Sequence, residues 1–314
     1  GVPSASSLLE TTRFFVALAE EYPNTLFLLP ELVEDDATQS LLGQPWFAAL
    51  VERYGTGIAQ TPGETGPSGS IDLAGSRFLR YPGGRFVQGA SRNGSTHPHL
   101  RSVEPFLLQQ AEVTQAEYAR FLAQAPEWGP KHAETLVARG LVSEGYLSDW
   151  DPENRGDVPV RFVSWHAADA YARWLSGVLG GRYEVRLPTE SEWEYAAAAA
   201  GGDPAAAFEH ERKGPVPADV FDRDREEPVG LLGNLWEWCD TWYYPRAYLF
   251  TSHTGTALQD DVGADRFTAA ERVLKGGSFA NDSLERIDAA TRGSAPPEWC
   301  TPFTGFRVVA VEVR

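Results

Sequence analysis

Val273-Leu-Lys-Gly-Gly-Ser278 and Gly305-Phe-Arg-Val-Val309 bracket the stretch on which the reading of this chain turns. Val273 and Leu274 predict a short buried strand that stops at a Gly-Gly turn. Phe306, Val308 and Val309 predict a closing strand, with Val311 and Val313 extending its period of two. Between them, residues 279–304 fit neither the helical nor the strand period. Phe279, Asn281, Asp282, Leu284, Glu285, Ile287, Asp288, Glu298, Trp299 and Phe303 follow one another without a repeating spacing. A long irregular segment between two strands is uncommon in a compact domain unless it carries function. The rest of the chain reads as a scaffold that holds this surface out.

Working outward, turns and short strands precede the bracket, among them Gly233-Asn-Leu-Trp-Glu-Trp238. Further upstream, Thr189-Glu-Ser-Glu192 has the form of a capping box and leads Trp193-Glu-Tyr into five alanines. In such a box the hydroxyl and the carboxylate satisfy the free N–H groups of a helix start. Ser164 opens another helix with Trp165, Ala168, Tyr171, Ala172, Leu175 and Val178 on one stripe. Thr114-Gln-Ala-Glu117 is a second box, flanked by Val113 and Tyr118 at the hydrophobic-staple positions. Residues 126–158 are polar and irregular. Phe78, Arg80 and Pro82-Gly-Gly-Arg-Phe-Val-Gln-Gly89 predict two short strands around a Gly-Gly turn.

Residues 61–76 read as a Gly/Pro-rich linker or loop. Residues 1–60 read as a helical N-terminal region, with a capping box at Ser7-Leu-Leu-Glu10 and a second helix from Pro45 to Gly55. Thr25-Leu-Phe-Leu-Leu29 fits a strand or a short buried helix equally. Helices early and strands late within 77–314 predict an α+β unit.

The chain has 314 residues, 42% of them hydrophobic, enough for a sizeable core. The net charge of −17 argues against nucleic acid or an anionic membrane face as partner. No apolar run is long enough for a membrane-spanning helix. Cys239 and Cys300 are too few for a disulfide framework and read as reduced thiols, which with the lack of a visible signal peptide favours the cytoplasm. The chain does not open with Met, so it is read as starting inside a longer product or after a processed tag.

Glu112-Val-Thr-Gln-Ala-Glu-Tyr118, Pro159-Val-Arg-Phe-Val-Ser-Trp165, Arg186-Leu-Pro-Thr-Glu-Ser-Glu-Trp-Glu-Tyr195 and Gly233-Asn-Leu-Trp-Glu-Trp238 occur in that order, followed by Leu274-Lys-Gly-Gly-Ser278 and Gly305-Phe-Arg307. Together they resemble the formylglycine-generating-enzyme (sulfatase-modifying factor) domain, a large variant of the C-type lectin fold. The resemblance covers about residues 77–314 and implies that fold. Function has to be checked residue by residue. The family's enzymes oxidise a sulfatase cysteine with two thiols shortly after the Gly-Gly-Ser. At those offsets stand Asn281 and Arg286, and a soft copper site needs thiolates. Related sulfoxide synthases place a histidine iron site on an N-terminal helical domain, and residues 1–96 contain no His. The family often binds calcium near the Gly-Asn-x-Trp-Glu-Trp motif. Glu237 matches one ligand, but Gly230 stands where an Asn or Asp is usual, so no cofactor is expected.

A narrower resemblance is to the variable proteins of diversity-generating retroelements, prokaryotic members of this fold. Their segment between Gly-Gly-Ser and Gly-Phe-Arg is mutagenised at adenines. Residues 279–304 have its position, length and irregularity. That resemblance implies a non-catalytic protein binding a protein or other ligand through a C-terminal surface. The expected contact set is Phe279, Asn281, Asp282, Glu285, Ile287, Asp288, Thr291, Ser294, Glu298, Trp299, Thr301 and Phe303, clustered on one solvent-facing patch. The alternative is an oxidase or sulfoxide-synthase-like enzyme on the same face, with Cys300 as its candidate thiol. His97-Pro-His99 reads as a surface turn, His166 as an exposed first-turn residue and Asp222-Arg-Asp-Arg-Glu-Glu227 as a solvated loop. Trp193, Trp236 and Phe306 are expected in the core.

Overall fold

The computed structural model describes residues 66–90, 96–200, 214–217, 220, 226–244, 270–281 and 287–313. The helical expectations for residues 1–60 lie outside these. The main sheet has five antiparallel strands in the order β1 (Ser70–Leu73), β2 (Ser76–Tyr81), β5 (Phe106–Gln109), β11 (Val309–Glu312) and β6 (Tyr183–Arg186). Its sequence order is thus broken, with the last strand inserted between β5 and β6. Leu79, Leu108 and Val309 are register partners across three strands, and so are Arg80, Leu107 and Ala310.

Both faces of this sheet are covered. Phe78, Leu107, Val185 and Ala310 pack on one side, Leu79, Leu108 and Val309 on the other. That is why Phe106-Leu-Leu-Gln109 reads as a run rather than an alternation: each successive residue enters a different core. The first core holds α1 (Gln115–Gln124) and α3 (Trp165–Val178). Phe306 lies fully buried there, its ring 5.4 Å from that of Tyr171 and 6.2 Å from that of Tyr118. The second holds α4 (Glu190–Ala199) and the hairpin of β3 (Gly84–Ala90) with β4 (Thr96–Val103).

The helices start where the capping chemistry places them. Thr114 and Thr189 complete reciprocal boxes with Glu117 and Glu192, and Ser164 accepts from the Ala167 N–H. Val113 and Tyr118 are both fully buried at the α1 staple.

A second, four-stranded sheet runs β10 (Thr304–Gly305), β7 (Trp236–Trp242), β8 (Arg272–Lys275), β9 (Arg292–Ala295), with β10 parallel to β7. β8 ends at Gly276 and Gly277, both at positive φ. A Cβ at Gly276 would stand 2.4 Å from the Leu231 carbonyl oxygen, so the turn requires glycine.

Several expectations need correction. The main sheet begins at Ser70, inside the stretch read as a linker, because Ser70–Leu73 pairs with β2. β2 and β3 form as expected but pair with different partners. His97 and His99 lie in β4, not in a turn. Residues 126–158 contain α2 (Ala133–Ala138). The C-terminal segment contains β9, which Arg292-Gly-Ser-Ala295 does not announce by pattern. The closing stretch is split, with Phe306 to Val308 between β10 and β11. Trp236 is only partly buried.

Candidate functional site

The C-terminal segment leaves β8 through a locked turn. The Asn281 side-chain carbonyl accepts the Ser278 N–H at 2.7 Å and the Ser278 hydroxyl at 3.2 Å, and the Asn281 N–H donates back to Ser278 O at 3.0 Å. The Phe279 N–H donates to the Asn234 carbonyl at 2.9 Å. Farther on, Asp288 Oδ1 accepts from the Ala290 N–H and the Thr291 hydroxyl, an Asx-type turn that feeds β9. β9 is clamped from below. Arg292 engages both oxygens of buried Glu190 on α4, and the Lys275 ammonium donates to Glu194 of the same helix at 2.9 Å. Removing one member of such a buried charge pair costs about 3–5 kcal/mol, because the other is left uncompensated.

At the far end, Thr301 and Thr304 share a hydroxyl hydrogen bond of 2.7 Å, and the Phe303 carbonyl accepts the Trp236 N–H at 2.8 Å. The two ends meet. The rings of Phe279 and Phe303 lie 5.7 Å apart. Arg161 sits beside them, its guanidinium 5.7 Å from the Phe279 ring centre and 5.4 Å from that of Phe162. It is fixed by Asp149 at 2.6 Å and by the Pro302 carbonyl at 3.2 Å. Phe303 is 39% exposed and Trp299 is 51% exposed.

The backbone under this surface is strained. Leu147, Phe162 and Asn234 have φ of 52°, 56° and 57°, a region that leucine and phenylalanine rarely adopt and that asparagine tolerates better. All three are wired to one another or to the segment. The Leu147 N–H donates to Phe162 O, the Phe162 N–H to Thr301 O, and Asn234 O receives Phe279. Strain of about 1–3 kcal/mol per residue persists only where surrounding structure over-determines it, and it concentrates at functional sites.

Of the expected contact residues, Trp299 and Phe303 are exposed, while Phe279, Asn281, Asp288, Thr291, Ser294, Glu298 and Thr301 are half-buried. Asp282 and Glu285 lie outside the described residues. Ile287 is a correction: it is 8% exposed, packed on Leu232 and Trp236 with Cγ2 against the Gly277 turn. An isoleucine has no polar end to keep at the surface, and the missing side chain at Gly277 leaves the room it fills. The reading from sequence missed Arg161, Phe162 and Asp149. Arg161 and Phe162 stand in a motif that reads as scaffold and Asp149 in the polar stretch before it, and left-handed backbone at a phenylalanine leaves no mark in composition or period.

The thiol chemistry is unfavourable. Cys239 and Cys300 are both buried. Burial pushes the Cys300 thiol up to about 11 and the Cys239 thiol well above the usual range, so neither is a thiolate near neutral pH. Asn281 offers an amide oxygen already committed to Ser278 where a soft metal wants sulfur. His166 is half-buried rather than exposed, and burial together with Arg272 lowers its pKa. Below the surface, Asn234 donates its amide to both oxygens of Glu112 at 3.0 and 3.1 Å. Burial and the neighbouring Glu237 push Glu112 up to about 8.

Comparison with known proteins sets this geometry in context. Residues 73–311 match the family described as "Sulfatase-modifying factor enzyme 1-like domain". The formylglycine-generating enzyme of Streptomyces coelicolor is 29% identical, over 73% of this chain and 87% of that one. The hercynine oxygenase of Mycolicibacterium smegmatis is 27% identical, over 84% of this chain and 66% of that one. Among solved structures, Treponema denticola variable protein 1 superposes with a TM-score of 0.55 at 19% identity, covering 77% of this chain and 98% of its own, a likeness of fold.

Proposed function

The chain belongs to the sulfatase-modifying factor enzyme 1-like domain family, and within that family we propose that it is a non-catalytic binding protein. On this reading residues 279–304 present Phe279, Trp299 and Phe303 to a protein or other ligand, and the segment varies between copies of the protein. One observation carries the reading. The two ends of the segment meet as a Phe279–Phe303 pair on a strained frame, at the place where the enzymes of the resemblance would carry thiols, and Asn281 there closes a turn. Large, stiff aromatics beside small polar residues give contact area at low entropic cost. The fold likeness to a protein titled a variable protein supports the same reading. A cytoplasmic setting belongs to the proposal as well.

The enzymatic relatives favour a second reading, an oxidase on the same face. Randomising Phe279, Trp299 and Phe303 together tests the binding reading from the scaffold side. We expect most such variants to remain folded, with cooperative melts near that of the parent. A library in which most members fail to fold overturns the proposal, because a binding surface that varies cannot also supply the core.

A further inference from the structure

We propose that the guanidinium of Arg307 is the built-in cation of this domain's centre, holding at Glu237 the oxygens that a bound calcium would otherwise gather. Arg307 and Glu237 are both fully buried. Arg307 Nε donates to Glu237 Oε2 at 2.7 Å, and Nη2 donates to Oε1 at 2.7 Å. The remaining donors go to backbone carbonyls: Nη1 to Gln110 at 2.9 Å and Gln109 at 3.3 Å, Nη2 to Val229 at 2.8 Å. Glu237 Oε2 also accepts the Trp193 indole N–H at 2.8 Å. A carboxylate and three carbonyls therefore converge on one planar cation, the bidentate geometry that suits a guanidinium.

A calcium ion does not fit here. It needs six to eight oxygens, and the carboxylate it would use already accepts three N–H groups, two of them from the Arg307 guanidinium. No side chain at position 230 can add a ligand. Gly230 has φ +70°, and a Cβ there would stand 2.8 Å from Glu112 Oε2. Glu112 cannot swing away freely, because Asn234 holds both of its oxygens. A divalent cation beside the Arg307 charge would also be repelled by it. In the metal's place, the guanidinium ties together β7, the end of β5, the Val229 turn and the entry to β11.

The test is a calorimetric titration of the chelator-stripped protein with calcium chloride, with thermal melts alongside. We expect no saturable heat and an unchanged Tm in millimolar calcium. One-site binding accompanied by a rise in Tm, both abolished by Glu237→Gln, overturns the proposal. Binding that survives Glu237→Gln sits elsewhere and leaves Arg307 as the cation at Glu237. Should that variant not fold, wild-type protein labelled with 15N-arginine decides. The Arg307 Nε–H signal, assigned by its proximity to the Trp193 indole N–H, should not move with calcium; a calcium-dependent shift or loss of that signal overturns the proposal.

Discussion

The carbonyl of Asn234 receives the Phe279 N–H at 2.9 Å while the Asn234 amide holds the buried carboxyl of Glu112. One residue thus joins the core to the aromatic surface, and it does so from a left-handed backbone conformation. Asn234→Ala keeps the strain and loses the amide bonds to Glu112 and to the Val216 N–H, and should cost about 2–4 kcal/mol. Asn234→Gly loses the same bonds but relieves the conformation, so it should melt above the alanine variant. The reverse order of the two melts refutes this account of Asn234.

Core and surface should separate in a mutational series. Trp193→Ala and Phe306→Ala remove fully buried rings and should each cost about 3–5 kcal/mol. Trp299→Ala should cost far less, about 1 kcal/mol or under, since half of the residue is in water. Denaturant melts check this, and a Trp299→Ala loss as large as that of Phe306→Ala would count against an exposed binding role.

Glu112 predicts a pH dependence of stability. Its folded value, about 8, lies above its ordinary 4.5. Between those values the folded protein holds a proton that the unfolded chain releases. The contribution is therefore fully present below the unfolded value and is lost as pH rises towards 8, by up to about 1.4 kcal/mol per pH unit. Glu112→Gln fixes the neutral form. Its Tm relative to wild type should climb by several degrees from pH 5 to pH 8, and parallel Tm-against-pH curves would show that Glu112 is not the group responsible.

No formylglycine is expected when the protein is incubated with a sulfatase-type cysteine peptide, copper and oxygen. Asn281→Cys should not change that, because Arg286 stands at the second thiol position. Mass spectrometry of the peptide checks both, and aldehyde above the no-protein control from the wild-type chain falsifies the non-catalytic reading.

What could be read in advance was the chemistry of single positions. The boxes at Thr114 and Thr189 were legible because a hydroxyl and a carboxylate three residues apart can serve few other purposes ahead of an apolar stripe. The β8 turn was legible because Gly276-Gly277 follows the apolar pair Val273-Leu274. What stayed hidden depends on partners distant in sequence. β9 takes its form from pairing with β8 and from the Arg292–Glu190 clamp, and its own residues, Arg-Gly-Ser-Ala, have no strand preference. Ile287 was placed outside because nothing near it in sequence shows the space left by Gly277. Arg161 and Phe162 became part of the site only once Pro302 and Thr301 were folded against them.

The pairing of β10 with β7 reaches beyond residue identity. β8 and β10 flank the same strand, so the segment leaves and rejoins a rigid frame at points only two strand spacings, about 10 Å, apart. Doubling a flexible loop between fixed ends costs only about 0.6 kcal/mol of closure entropy. The stretches before β9 and after it can therefore lengthen or shorten independently, with Arg292 pinned between them. On the proposed reading, the frame set by β7 would tolerate changes in the height of the surface as well as in the side chains that cover it.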